Sequence, residues 1–572
     1  MVSSGSLRIT ATALLLLSPV AVAAVPKVSR TGRYLYTDDG NRFFIKGIVY
    51  QTQGNDTECA LDVGVIVSGP DNPLNQPSTF VDNLADGAAC TRDLPFFQKL
   101  GVNTIRAYAA NSSLDHDSCM STLSNAGIYV ILDLTLPLNG SIDTTLPAWS
   151  TNTLDQYLRT IDAFEKYDNV LAYNIGNEVI LPSATQSAPF IVAAARDIRA
   201  YLNSKSSSAL VGYAAIDGSS SFVENVADFL ACNRSAEPGN ASIDLYGLND
   251  YQWCGNASSN TFNGLNSQFA NYGVPAYFSE FGSEDCSPNP RVWTEVPVMF
   301  NSSMTDVWSG GCAFSYFSAS SRGHQFGMVT LSSDNSTVTT NGDFDNLAAQ
   351  FNAVKFVNSP AQVSVKAAPL PACPATASSW PVSNTLPPTP DDTACGCLAD
   401  ALSCVFQPPT PDYMVLVGEL IGIACGLYGQ AGGSCDDISA DGETGVYGTV
   451  GMCDPTIKLT YIFSQYYESN HRAPDACLFS GNATINSAAG FNGASAAMTS
   501  CIPSPSATFT LSAPPVLIPV ATPRTGNSTS NSTSTSSQGS TGGAGPKSAG
   551  GIFVGISGAV GCLVWGTLWT LL

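Results

Sequence analysis

Short apolar runs rich in β-branched and aromatic residues, each bounded by turn-forming residues, recur at 42–50, 103–108, 129–134, 170–175, 209–216, 243–248, 274–279 and 311–317. Helical stretches lie between them, among others at 93–100, 117–126, 153–167 and 188–204. Strands alternating with helices eight times within residues 25–370 predict an α/β fold, a (β/α)8 barrel of the TIM type, with an open doubly wound sheet as the competing arrangement. Beyond it the pattern changes. Residues 371–394, rich in Pro, Ala and Ser, have the composition of a linker, and 395–501 hold eight cysteines, which predicts a small, mainly helical disulfide domain. Residues 502–545 begin proline-interrupted and become a Ser/Thr/Gly stalk with no means of building a core.

Both ends carry targeting patterns. Residues 1–24 combine Arg8, an apolar run at 11–17 and small residues before Pro26, which predicts a secretory signal; a buried N-terminal element is the alternative. At the other end, 552–572 is apolar and uncharged, with nothing basic after it. Small residues and a polar spacer containing Lys547 and Ser548 precede it, which predicts a glycolipid (GPI) anchor signal over 546–572. Attachment would fall on Gly539, Ser540, Gly542 or Gly543; a retained transmembrane helix is the alternative.

Composition narrows the picture. Seventeen cysteines suit an oxidising compartment, and removal of Cys562 with the tail leaves an even number that permits full pairing. Sequons at Asn55, Asn111, Asn139, Asn233, Asn240, Asn256, Asn301, Asn335, Asn482, Asn527 and Asn531 suit a glycosylated surface protein. A formal charge of −22 argues against nucleic acid as a partner. His116, His324 and His471 form no ligand-spaced cluster, and no phosphate-loop, dinucleotide or nucleophile-elbow pattern occurs, so neither metal nor organic cofactor is expected.

In a barrel the C-terminal ends of strands carry the chemistry. Here they offer Arg106 and Tyr108, Asp133, Asn177 and Glu178, Tyr251 and Trp253, Glu280, and Tyr316. Glycosidic cleavage needs two carboxyl groups: an acid that protonates the leaving oxygen, and a carboxylate that attacks the anomeric carbon or activates water. Glu178 and Glu280, at the ends of the fourth and seventh strands, suit that pair, although a lone glutamate at a strand end is more often a solvated loop residue. Arg106 would keep the nucleophile ionised. Asn177 would bond a sugar 2-OH, and Tyr108, Tyr251, Trp253 and Tyr316 would stack on sugar rings. Trp253 beside Cys254 equally suits packing on a disulfide, and Tyr277 suits the core.

Several segments resemble, in order, the fungal β-1,3-glucanosyltransferases of glycoside hydrolase family 72. They include Phe44-Ile45-Lys46-Gly47, Leu84-Ala85-Asp86-Gly87, Asn103-Thr104-Ile105-Arg106-Ala107-Tyr108 and His116-Asp117-Ser118-Cys119-Met120. Gly176-Asn177-Glu178-Val179 and Tyr277-Phe278-Ser279-Glu280-Phe281-Gly282 are similar to the segments carrying that family's acid/base and nucleophile. The resemblance covers residues 27–370. It implies Glu178 as acid/base, Glu280 as nucleophile, substrate contacts from Tyr108, Asn177, Tyr251, Trp253, Tyr316, Arg106 and Asp133, and transfer between β-1,3-glucan donor and acceptor chains in cell-wall remodelling. It further implies disulfides Cys90–Cys119, Cys254–Cys286 and Cys232–Cys373, which leaves Cys59 and Cys312 as a possible pair. Residues 395–501 resemble the cysteine-rich glucan-binding module of carbohydrate-binding family 43. The implied protein is monomeric and GPI-anchored at the extracellular face of the plasma membrane and in the wall. Phe314-Ser315-Tyr316 and Gln252 depart from the family's Tyr-Glu-Tyr and Glu, so a retaining endo-β-1,3-glucanase and a catalytically silent glucan-binding protein remain the alternatives.

Overall fold

The structure, a computed structural model, describes residues 25–52, 80–136, 141–234, 241–285, 288–321, 324–366, 369–408, 413–490, 492–502 and 511. The leader, the stalk apart from Ile502 and Leu511, the anchor signal with its attachment candidates, Cys59 and Cys286 lie outside the described residues.

Eight parallel strands close into a barrel: β1 (Ile45–Val49), β2 (Thr104–Ala107), β3 (Tyr129–Asp133), β4 (Val170–Asn177), β5 (Leu210–Ile216), β6 (Leu245–Asp250), β7 (Ala276–Phe281) and β8 (Trp308–Ala313). Closure leaves no free sheet edge, so every strand is paired on both sides. The expected run 42–50 divides in two. Arg42–Phe43 pairs antiparallel with Tyr34–Thr37 in a small N-terminal sheet, while Ile45 onward enters the barrel. Leu35 and Phe43 of that sheet share one apolar cluster with Ile45, Ile131, Leu171, Leu210, Leu245, Tyr277 and Cys312 from the strands, which closes the N-terminal end of the barrel.

The outer helices bury their apolar sides against the strands. Helix α1 (Gly87–Leu100) begins where the Asp86 carboxylate accepts from the Ala88 and Ala89 amides, and stops at Gly101, whose φ of 67° is the left-handed cap that favours glycine. Helices α2 (Asp117–Asn125), α3 (Thr151–Phe164) and α4 (Ala188–Ser204) follow the predicted spans closely. Two more, α5 (Ser220–Ala231) and α6 (Asn263–Phe269), complete the wall on the β5–β7 side.

The cysteine-rich region is mainly helical, with α7 (Asp392–Ala401), α8 (Met414–Gln430), α9 (Pro455–Ser469) and α10 (Ala494–Cys501) stapled by Cys395–Cys453, Cys397–Cys501, Cys404–Cys477 and Cys425–Cys435. The stretch expected as a linker packs as a strap. Cys373 is bonded to Cys232, and Trp380 is buried against Phe229 with ring centroids 5.6 Å apart. The Thr389 hydroxyl donates to Asp197 at 2.7 Å. The cysteine-rich region then docks on the barrel: Thr151 N donates to Met452 O at 3.0 Å, and Tyr447 meets Phe190 edge-on at 5.7 Å.

Cys90–Cys119 forms as the resemblance implies, and Cys254 is disulfide-bonded. The suggested Cys59–Cys312 pair does not form. Cys312 is a free thiol sealed in the barrel interior, with its Sγ against Gly47 of the neighbouring strand, and burial pushes its pKa up to about 12.

Candidate active site

At the C-terminal mouth of the barrel one guanidinium organises the polar residues. Arg106, the third residue of β2, is fully buried and bonds to Asp133 through Nη2 at 2.8 Å and Nε at 3.3 Å. Its Nη2 also reaches Asn177 Oδ1 at 2.9 Å, and its Nη1 reaches Glu280 Oε1 at 3.1 Å and Ser279 O at 3.2 Å. Asp133 is itself held by Asn174 Nδ2 at 2.6 Å. A buried cation without partners is strongly unfavourable, so these acceptors and Arg106 require one another.

Glu280 occupies the fifth position of β7, where the register with β6 shifts between Phe278 and Glu280. Such irregularities re-aim a side chain at a sheet end. Besides Arg106, Glu280 accepts from the Tyr108 hydroxyl on Oε1 and from the Tyr251 hydroxyl on Oε2 at 2.8 Å. Burial raises its pKa above the ordinary glutamate value, opposed by the charge of Arg106 and by the two phenols. Arg106 acts in the expected direction, but desolvation is the larger effect, and the cation offsets only part of it. Both phenols are pushed well above their ordinary value, by burial first and then by the Glu280 charge, so they remain donors.

Glu178 directly follows β4, after a register shift between Asn174 and Asn177. Its φ of 52° lies in the left-handed region, uncommon for a residue with a side chain and a mark of functional sites. One carboxylate oxygen, Oε1, accepts from Asn249 Nδ2 at 2.7 Å. Asn249 in turn accepts on Oδ1 from the Ser279 hydroxyl at 2.7 Å and from Arg106 Nη1 at 3.5 Å. A single hydrogen-bonded network therefore joins Glu178 and Glu280.

Of the residues expected at the site, Arg106, Tyr108, Asp133, Asn177, Glu178, Tyr251 and Glu280 come together. Two do not. Trp253 is buried beneath its loop, stacked on Phe262 at 5.3 Å, with Nε1 donating to Gly255 O at 2.9 Å and Thr294 Oγ1 at 3.0 Å. Tyr316 is fully buried, its hydroxyl on Asp93 at 3.1 Å and its ring among Tyr50, Phe97 and Phe317. Neither offers a face to a sugar, because both rings are buried. Arg106 and Asp133 are buried; Arg106 bonds Glu280 directly, and Asp133 holds Arg106 in place. Gln252 is exposed and donates to Asp217 at 2.8 Å. Asn249 and Ser279 were missed as site residues, since an Asn at a strand end has the signature of a turn former and a Ser within a strand has none.

Two carboxylates at strand ends four and seven, one beside a guanidinium and two phenols, suit double displacement at a sugar carbon. The comparisons agree with that geometry. A family model described as glucanosyltransferase matches residues 18–355, more than half of the chain. The chain belongs to the glucanosyltransferase family, glycoside hydrolase family 72. A model of the X8 domain matches residues 402–484, the cysteine-rich region. The 1,3-β-glucanosyltransferase gas1 of Schizosaccharomyces pombe is 36% identical over 484 residues, 83% of this chain and 81% of that protein. The 1,3-β-glucanosyltransferase GAS2 of Saccharomyces cerevisiae is 32% identical over 470 residues, 79% of this chain and 78% of that protein. Gas2p of S. cerevisiae in complex with laminaritriose and laminaritetraose superposes with a TM-score of 0.69 at 32% identity, covering 81% of this chain and 98% of that one. A Glu→Gln mutant of the same glucanosyltransferase, bound to laminaritetraose and laminaripentaose, fits equally with a TM-score of 0.69 at 31% identity, covering 81% and 95% of the two chains.

Proposed function

We propose that this glucanosyltransferase cleaves a β-1,3-glucan chain by attack of Glu280 on the anomeric carbon while Glu178 protonates the departing oxygen. Glu178, now a carboxylate, then deprotonates a hydroxyl of a second glucan chain, which displaces Glu280 and retains the anomeric configuration. The observation that carries this reading is the set of donors on Glu280. It accepts from a guanidinium and two phenols, donors that suit an ionised nucleophile, and Asn249, which bonds Glu178 Oε1, ties the second carboxyl to the same network. Asn177 has its Oδ1 occupied by Arg106 and by Asn249 Nδ2 at 3.2 Å, so its Nδ2 is the group that donates to the sugar. The laminari-oligosaccharides bound by the S. cerevisiae relative support β-1,3-glucan as the substrate.

The protein acts as a monomer, held by a GPI anchor at the outer face of the plasma membrane and in the wall; the sequence patterns at both ends support that placement. Incubating the ectodomain with a defined β-1,3-glucan oligomer tests the reaction. Products longer than the substrate are expected, and Glu280→Gln and Glu178→Gln should each abolish them. Shorter products alone would make the protein a hydrolase, the reading to which Phe314, Ser315 and Gln252 lend weight. Product formation undiminished in Glu280→Gln would overturn the assignment of the nucleophile.

A further inference from the structure

We propose that Asn249 is a positioning residue that decides which oxygen of Glu178 carries the acidic proton. The inference rests on the acid/base role of Glu178 given above and goes beyond it. Asn249 is 2% exposed, the fifth residue of β6, and pairs in register with Ile216 of β5 and Glu280 of β7. Its backbone is thus held between the strands that flank it. The orientation of its amide follows from the neighbours. Arg106 can only donate, so the amide atom facing its Nη1 at 3.5 Å is the oxygen, Oδ1. The Ser279 hydroxyl donates to the same oxygen at 2.7 Å. The nitrogen is then left facing Asn177 Oδ1 at 3.2 Å and Glu178 Oε1 at 2.7 Å. Both are acceptors, so no flip of the amide satisfies the set.

An N–H fixed on Oε1 makes that atom the carbonyl oxygen of the neutral acid, because a carbonyl oxygen accepts a hydrogen bond better than a protonated one. The carboxylic proton of Glu178 is therefore favoured on Oε2, the oxygen that hands it to the leaving group. During the first displacement that proton passes from Oε2 to the glycosidic oxygen, the C–O bond breaks, and Glu178 becomes a carboxylate. The Asn249 donor then strengthens, since hydrogen bonds to an ionised acceptor are the stronger ones. In the second displacement the carboxylate takes a proton from the incoming hydroxyl and regains it on Oε2. Asn249 touches no substrate in this scheme. It acts through Glu178, while Ser279 and Arg106 act on it, so the strand that carries the nucleophile also sets the orientation of the acid.

The test compares Asn249→Ala with the wild type on a β-1,3-glucan oligomer and on a dinitrophenyl β-laminari-oligoside, whose leaving group departs with little protonation. On the oligomer kcat/KM should fall about 10- to 100-fold, part of the 10²–10⁴ that a general acid supplies, and on the aryl glycoside less than about threefold. Turnover of the aryl glycoside also shows that the variant is folded. The alkaline limb of the kcat/KM profile, which reports the free-enzyme acid, should move up, because the lost donor had favoured ionised Glu178. Asn249→Asp, nearly isosteric, should move it further by placing a second carboxylate opposite the first. Equal losses on both substrates with the limb unmoved would overturn the inference, and so would an unchanged rate on glucan. A wild type inactive on both substrates would instead overturn the proposed function, and this inference with it.

Discussion

At the scale of single residues, the opposed influences on Glu280 have a measurable sign. Its reactive form is the carboxylate, so activity falls as pH drops through its pKa, which burial has raised above the ordinary glutamate value. The acid limb of kcat/KM should accordingly lie above the range of an exposed glutamate. Tyr108→Phe removes one donor to Oε1 and should move that limb further up. It should also lower kcat/KM roughly 10- to 100-fold, as expected for a hydrogen bond of about 1.5–3 kcal/mol to a charged group. A pH–rate profile of the variant in which the acid limb stays in place would show that the phenol does not favour the ionised form. The glutamates were legible in the sequence because each ends a β-rich run and is followed by a break in it. Their supports were not, for they come from other strands: Asn249 and Ser279 meet only once β6 and β7 lie side by side. Trp253 and Tyr316 misled for a related reason. An aromatic near a strand end looks alike whether its ring faces the mouth or folds back under a loop.

At the scale of elements, the loops after β7 and β8 are tied together by a second buried guanidinium. Arg291 is 2% exposed, and its Nη1 donates to Gly282 O at 3.0 Å and Phe314 O at 2.8 Å, its Nη2 to Phe326 O at 2.7 Å. Its Nε meets Asp343 Oδ2 at 2.8 Å and Glu284 Oε1 at 2.9 Å. Arg291→Met removes the donor to these carbonyls and the counter-ion of a largely buried carboxylate, and should cost about 3–5 kcal/mol. Thermal or denaturant unfolding reads that loss, and a cost under about 1 kcal/mol would contradict the clamp. Gly282 belongs to the same corner: its φ is 115°, and a Cβ there would lie 2.3 Å from the Trp293 ring. The barrel strands were predictable because each apolar run is short and bounded by turn formers. The boundary at Phe44 was not, since the hydrophobic pattern runs on unbroken while the pairing partner changes from the N-terminal sheet to the barrel.

At the scale of the whole molecule, one contact between the cysteine-rich region and the barrel brings like charges together. Asp155 of α3 has its pKa raised to about 7, by burial first and then by a shared hydrogen bond with Asp392 of α7 and by that residue's charge. A carboxyl raised in the folded state lends stability that is fully present below the ordinary aspartate value. That stability is lost as pH rises through about 7. Melting temperature should therefore decline between about pH 4 and 7, and Asp155→Asn should flatten the decline. A variant whose melting profile keeps the wild-type slope would exclude this contact as its source. The strap from Cys373 to Thr389 had the composition of a linker, and what makes it structure is its partners, Cys232, Phe229 and Asp197. The unpaired Cys312 gives the molecule an internal clock. Its thiol lies inside the closed cylinder, so an alkylating reagent reaches it only when the ring of strands parts. The rate at which the peptide bearing Cys312 gains mass, followed by mass spectrometry without denaturant, then counts barrel openings directly. Slowing of that rate by a bound oligosaccharide would measure how far the ligand at the mouth locks the staves together.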